Sequence, residues 1–343
     1  MARECGFDLA GVAPATPLPE SAYYPAWVAA GYAAEMGYLT GRRAEVRGDP
    51  RRLMASAQSV ICVGKLYNTP LPYSTAFTDA ELGWISRYAW GDDYHDVLRE
   101  GLRRLAVRLM EASAEPFEWK ICVDTAPLLE RAYARHAGLG WIGKNTCLIH
   151  QGMGSWFFLG ELLVSFAAEP DRPPPDRCGS CTHCIDACPT QALVPTGRPG
   201  GPPYALDSGR CISYFTIELR GTIPAEIRAG VGAQVFGCDI CQDVCPWNRR
   251  APVTSDPAFA VRLSAPPLER LAALSEEDFR ALFRNSPVER ARYRGFLRNV
   301  AVAMGNARME KFRPALERLA ASPDPLVAEH ARWALEQLAS DPS

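Results

Sequence analysis

The spacing of apolar positions divides the chain into three regimes. In the first, Ser59–Gly64 (SVICVG) is a continuous apolar, β-branched run, the pattern of a strand covered on both faces. A helix-like run over Ala2–Phe7 precedes a shorter strand at Leu9–Ala13, which Pro14, Pro17 and Pro19 stop. Residues 26–58 read as helices with loops. Val97, Leu98, Leu102, Leu105 and Leu109 recur at helical spacing within a segment from Tyr94 to Ala114. Trp119–Val123 predicts a buried strand ending in Asp124-Thr125-Ala126-Pro127, and a helix over Leu128–Ala137 follows. After a glycine-rich loop, Cys147–His150 and Phe157–Phe166 read as strands. This alternation predicts an α/β domain over residues 1–170.

The second regime opens with a proline-rich linker, Asp171–Arg177 (DRPPPDR), and runs to residue 250 with little periodicity. A Pro/Gly stretch inside it, Pro195–Pro203, predicts a surface loop. From about residue 255 the pattern is purely helical. Arg290–Ala307, Lys311–Ala321 and Asp324–Ala339 read as consecutive amphipathic helices, which suggests HEAT-like repeats in a third domain, 251–343. The architecture expected is thus α+β multidomain.

Composition narrows the class. At 48% hydrophobic and 22% charged, the chain has a soluble globular profile and excludes a disordered or fibrous one. Its longest apolar stretch, Met153–Ala168, is interrupted by Glu161 and is too short to span a bilayer. No basic segment followed by an apolar one opens the chain, so a cytoplasmic location without membrane partners is expected. A net charge of -2 leaves no global basic footprint, and any nucleic-acid surface must be local.

Cysteine distribution decides more. Cys5, Cys62, Cys122 and Cys147 are scattered and read as small buried hydrophobes. The other eight fall within 68 residues, which without an export signal indicates ligation rather than disulfides. Cys178-x2-Cys181-x2-Cys184-x3-Cys188-Pro189 is the bacterial ferredoxin run, whose fourth thiolate serves the other cluster in two-cluster proteins. Cys211 and Cys238-x2-Cys241-x3-Cys245-Pro246 supply the complement. The assignment expected is Cys178, Cys181, Cys184 and Cys245 on one [4Fe–4S] cluster, with Cys188, Cys211, Cys238 and Cys241 on the other. Two structural zinc sites are the competing reading, but zinc takes separated pairs, and a 2-2-3 run does not divide that way.

Such an electron wire needs something to reduce, and the candidates lie in the first domain. Gly138-Leu-Gly140-Trp-Ile-Gly143-Lys144 imitates nucleotide-binding loops, yet a helix precedes it and a strand follows, the inverse of what phosphate binding requires. The glycines then indicate close backbone approach to a flat or bulky group, or a tight turn. Asp124, at the end of its strand, reads either as an acid whose pKa is raised by an apolar site or as the N-cap of the next helix. His95 and His136 read as surface or packing histidines.

Seven motifs together resemble the epoxyqueuosine reductases: GFDLAGVAPA at 6–15, DPRRL at 49–53, ISRYAWGDDYH at 85–95, DTAPLLERAYARHAGLGWIGKNT at 124–146, CGSCTHCIDACPTQA at 178–192, CISYFTIELRG at 211–221 and FGCDICQDVCPWN at 236–248. The resemblance implies a first domain binding base-off cobalamin, similar to reductive dehalogenases. It also implies a ferredoxin-like domain (171–250) with two [4Fe–4S] clusters fed by an external electron donor. The substrate implied is epoxyqueuosine at the wobble position of a tRNA anticodon, reduced to queuosine by a chain acting as a monomer. Asp124 then takes the role of proton donor over the cobalt, and Arg47, Arg87, Lys144, Asn145 and Ser213 line the corrin or active site.

Between Arg280 and Arg318 there are ten basic residues against three acids, which suggests tRNA phosphate contacts from Arg290, Arg292, Arg294 and Arg298, extended by Arg220, Arg249 and Arg250. Tyr214, Phe215 and Trp247 are candidate stacking residues for a flipped base. The alternative reading is a reductive dehalogenase-like reductase of a small molecule, which has no use for a basic tail. An electron carrier leaves the first domain unexplained, and a zinc-stabilised RNA-binding protein would be colourless.

Overall fold

The computed structural model describes residues 1–197 and 202–339. Its central feature is a four-stranded sheet in the order Leu9–Pro14, Ser59–Leu66, Phe157–Val164, Trp119–Cys122, with every neighbouring pair antiparallel. The α/β expectation is thereby corrected: strands and helices do alternate along the chain, but the strands of this sheet pair antiparallel rather than through parallel crossovers. The apolar run at Ser59 was misleading because helices cover both faces of this antiparallel sheet. Leu98, Leu102 and Leu105 of helix Tyr94–Ala112 pack on Val63, Leu162 and Val164. Ala132, Tyr133 and Ala134 of helix Glu130–His136 pack on Val60, Cys62 and Leu163 from the other side. Trp119–Cys122 is an edge strand with Lys120 exposed, so Asp124 leaves the rim of the sheet rather than its centre.

The proline-rich segment 171–177 is stitched to the first strand, since Asp171 donates its N–H to the Val12 carbonyl and accepts the Val12 N–H on its carboxylate. Beyond it, short helices His183–Asp186 and Ile240–Asp243 pack together and bring the two cysteine runs face to face. Strands Leu193–Pro195 and Tyr204–Leu206 pair antiparallel beside them. Of the loop expected between Pro195 and Pro203, residues 198–201 lie outside the described residues. Asn248 locks this segment to the sheet domain by accepting the Ser155 N–H at 2.7 Å.

Helices Arg292–Ala307, Arg313–Ala320 and Pro325–Ala339 pack on one another close to their expected bounds. Their core is not confined to residues 251–343. Trp84, Ile85, Trp90, Val235 and Phe236 from earlier in the chain are buried with Phe296, Val300 and Met304. Among the described residues no helix is long and apolar enough to cross a membrane.

Arg298, expected on the RNA surface, is buried in this core. Its guanidinium donates to the carbonyls of Leu219 (3.0 Å), Gly221 (2.7 Å) and Phe215 (2.5 Å). Asn299 adds bonds to the carbonyls of Thr216 and Val235. Together they clamp a π-helical turn, Tyr214–Glu218, that follows Cys211. Arg298→Met leaves three buried carbonyls without donors, and chemical denaturation should show a loss of about 3 kcal/mol, with the RNA affinity of the folded protein unchanged.

Candidate active site

Asp124 follows the edge strand in a turn that holds it in the left-handed region, φ 47°. Aspartate tolerates that conformation better than most residues, and the strain fixes where its carboxylate points. The helix after the turn begins at Glu130 behind Leu129, so Asp124 is not its N-cap. Instead Asp124 Oδ2 lies 3.1 Å from His95 Nε2, and His95 Nδ1 lies 2.7 Å from Asp93 Oδ1. Asp93 is itself the N-cap of helix Tyr94–Ala112. His95, read above as a packing residue, is therefore held between two carboxylates.

The electrostatics reverse the expectation for Asp124. Burial acts to raise its pKa, but the hydrogen bond and charge of His95, aided by Tyr94 and Arg290, hold the carboxyl below its ordinary value. Burial acts to lower His95, yet Asp124 and Asp93 push it up to about 9. At neutral pH the proton therefore sits on the imidazole, beside a half-exposed carboxylate (50% for the Asp124 side chain). Arg290 adds its positive charge from a distant part of the chain. It pairs with Glu218 through two bonds (2.5 and 3.0 Å) and lies 5.4 Å from the Tyr38 ring centroid. Sequence alone offered no link between these distant positions.

Behind Asp124 lies a second acidic feature. Its backbone N–H donates to Glu130 Oε1 at 2.5 Å, and Glu161 is fully buried in the central strand facing the same helix. The only sequence signal for Glu161 was its interruption of an apolar run.

The eight clustered thiols fall into two groups. Cys245 packs with Cys178 against Trp141 and Trp247. Burial, then the neighbouring Cys245, Cys178 and Cys181, push Cys184 up to about 12. Cys211 and Cys238 share a second apolar pocket with Ile212 and Phe215. Burial and the nearby Cys211 and Cys188 raise Cys238, and Cys241 stands beside Cys238 and Cys211. Cys5, Cys62 and Cys122 are buried as small hydrophobes, whereas Cys147 is hydrogen-bonded to Cys241 at the edge of the second group.

The residues expected around a corrin separate. Arg47 is buried and donates to the Tyr38 carbonyl at 2.8 Å. Arg87 is buried among Tyr73, Trp90 and Trp156, with its guanidinium donating to Thr69, Leu71 and Pro72. Lys144 donates to the carbonyls of Gly179 (2.8 Å) and Cys181 (2.9 Å) and so braces the first thiol group. Asn145 donates to the Cys241 carbonyl, and Ser213 lies beside Cys211, which places both at the second group. Arg131 bonds the Thr146 carbonyl, tying the loop that carries Asn145 to the helix behind Asp124. Two glycines of the loop are required by the chain's own backbone: a Cβ at Gly140 would meet the Ile149 carbonyl oxygen at 2.3 Å, and Gly138 turns at φ +78°. Arg220, Arg292 and Arg294 line a small recess at the start of helix Arg292–Ala307. Tyr214 and Phe215 point into the core and offer no stacking face. The basic excess of 280–318 is also smaller than the local count, because Glu276, Glu218, Asp324 and Glu81 from outside the segment pair with Arg280, Arg290, Arg294 and Lys311.

A family model described as a 4Fe-4S double cluster binding domain matches residues 177–248, and one described as epoxyqueuosine reductase QueG, DUF1730 matches residues 47–125. The protein is an iron–sulfur oxidoreductase. An epoxyqueuosine reductase from Xanthomonas campestris pv. campestris is 41% identical over 342 residues, covering 98% of this chain and 94% of the relative. A crystal structure of epoxyqueuosine reductase with a tRNA-Tyr epoxyqueuosine-modified stem loop superposes at TM-score 0.88 and 30% identity, over 99% of this chain and 88% of that one. A Bacillus subtilis epoxyqueuosine reductase, with its catalytic aspartate loop swung out of the active site, gives 0.87 at 30% identity over 98% and 88%. The chain belongs to the epoxyqueuosine reductase family.

Proposed function

We propose that this chain reduces epoxyqueuosine in the anticodon of a tRNA to queuosine, with Asp124 and His95 handling a proton at the reacting oxygen. The observation that carries the reading is the Asp93–His95–Asp124 line, at the end of an edge strand and tied through Arg131 to the loop beside the second thiol group. Expelling an epoxide oxygen as water takes two electrons and two protons, and the opening alkoxide needs an acid within reach. A protonated His95 beside ionised Asp124 meets that need, and Asp93 fixes the ring so that Nε2 faces outward.

Iron–sulfur clusters supply electron conduction from an external donor, with ligands divided as the thiol grouping supports: Cys178, Cys181, Cys184 and Cys245, then Cys188, Cys211, Cys238 and Cys241. Base-off cobalamin, which the family resemblance implies, would supply the reducing centre. Arg47, Arg87, Lys144, Asn145 and Ser213 are the residues the resemblance gives it; Asn145 and Ser213 stand at the second thiol group, Lys144 braces the first, and Arg47 and Arg87 hold the surrounding loops.

RNA phosphates are assigned to Arg220, Arg292 and Arg294, with Arg290 near Asp124. Arg292 is exposed and, among the described residues, makes no ion pair. Arg292→Ala should weaken stem-loop binding uniformly across sequences and reduce the slope of log Kd against log salt by about one. The protein is read as a cytoplasmic monomer.

The test is anaerobic reconstitution with iron, sulfide and cobalamin, then a single-turnover assay on an epoxyqueuosine-containing stem loop with a strong reductant. Queuosine formed only when cobalamin is present is the expected result. Cobalamin binding without turnover of the RNA would transfer the reading to a small-molecule reductase.

A further inference from the structure

Glu161 stands where a carboxyl group is costly. It occupies the middle of the sheet, paired directly with Cys62 on one neighbouring strand and Cys122 on the other, and all three are 0% exposed. Neither carboxyl oxygen has a hydrogen-bond donor among the described residues. The side chain faces helix Glu130–His136, whose first residue, Glu130, is its polar neighbour. Two neighbouring carboxylates, of which Glu161 is wholly buried and Glu130 half-buried, strongly disfavour ionising together, whereas a single shared proton satisfies one oxygen of each. A buried acid of this kind destabilises the fold unless it is paired, so packing gives no reason for it.

We propose that Glu130 and Glu161 share one buried proton and deliver it to the Asp124–His95 pair as the second proton of the reduction. The inference rests on the function proposed above. Of the two, Glu130 touches the turn that carries Asp124, accepting the Asp124 N–H, and the like charge of Asp124 adds to burial in holding its proton on. The other groups facing the pair are Arg131 and Arg47, which favour the ionised form, and the thiols of Cys62 and Cys122, which burial keeps protonated.

The balance closes. External electrons, two per turnover, arrive through the clusters. One proton leaves His95 for the alkoxide formed when the first C–O bond breaks. The second leaves the carboxyl pair, passes to Asp124, and departs with the oxygen as water when the remaining C–O bond breaks. The pair is left doubly ionised, a state that burial disfavours, and it takes a proton back from solvent before the next turnover. Glu130 and Glu161 are positioning and proton-storing residues, since neither faces the substrate.

Infrared difference spectroscopy of the reconstituted full chain reads the shared proton without turnover. A protonated-carboxyl band should persist through neutral pH, bleach as the pH rises through about 8, and vanish in Glu161→Gln. The same variant should turn over the epoxyqueuosine stem loop several-fold more slowly at unchanged KM, with the alkaline limb of its pH profile displaced. No protonated-carboxyl band in the wild type at neutral pH overturns the shared proton. A folded Glu161→Gln that loses the band but keeps wild-type turnover and pH profile overturns delivery. Should that variant not fold, the wild-type titration and Glu130→Gln decide in the same way. A wild type that shows the band yet forms no queuosine overturns the proposed function, and with it delivery, independently of the shared proton.

Discussion

Asp124→Asn is expected to lower single-turnover reduction by about a thousand-fold, the middle of the range for a positioned acid–base group, while iron content and stem-loop affinity stay unchanged. The side chain is half exposed and makes no packing contact that an amide of the same shape would lose. What it loses is charge. His95 is raised to about 9 by Asp124 and Asp93, working against burial. The donor form is therefore full below the ordinary histidine value, and activity should fall as pH rises through about 9. Without the Asp124 charge, that alkaline limb moves downward toward neutrality in the residual activity. His95→Gln should remove the His95 part of the limb, leaving only the fall near pH 8 that the carboxyl pair imposes. The same sign governs stability: the His95 contribution is complete below its unfolded value near 6.5 and disappears as the folded value is passed. An Asp124→Asn enzyme with near-normal turnover would remove this residue from the mechanism.

Cys188→Ala should also silence turnover, and it tests how the thiols are shared. Cys188 follows Cys178, Cys181 and Cys184 in one run, but its charge is felt at Cys211 and Cys238. The expected result is loss of about half the iron, four of eight atoms in a two-cluster protein, with one cluster keeping its spectrum and reduction behaviour. The surviving signal should be sensitive to substitution at Cys184 or Cys245 and indifferent to Cys241. Loss of the cluster held by Cys178, Cys181 and Cys184 would overturn the crossed arrangement.

Both predictions concern residues visible in the sequence, yet they were visible for different reasons. The cysteine runs are local: ligand spacing along a tight turn is dictated by the size of a cluster, so one dimension suffices to read them. Strand and helix existence was equally legible, because burial imposes a period on each segment separately. Ser59–Leu66, Tyr94–Ala112 and the three terminal helices lie within a few residues of where the pattern placed them.

Strand direction was not legible. A run covered on both faces is apolar whether its neighbours are parallel or antiparallel, so SVICVG could not report that its sheet is antiparallel. Charge counting failed for a related reason. Arg298 and Arg292 are alike in sequence, but one is clamped to the carbonyls of a π-helical turn and the other is exposed. Arg87 and Arg47 likewise carry family motifs while spending their donors inside the fold.

The chemistry of the proton site shows the same division. Sequence by itself determined that the protein binds iron–sulfur clusters, that Asp124 ends a strand, and which segments fold as helices, since each depends on neighbours a few positions away. Tertiary structure alone decided that His95, 29 positions from Asp124, meets its carboxylate, that Arg290 pairs with Glu218, and that Glu161 neighbours Glu130 behind the turn that carries Asp124. A pKa depends on the dielectric and the charges within a few ångströms, and those are brought together by packing between segments that the chain holds far apart.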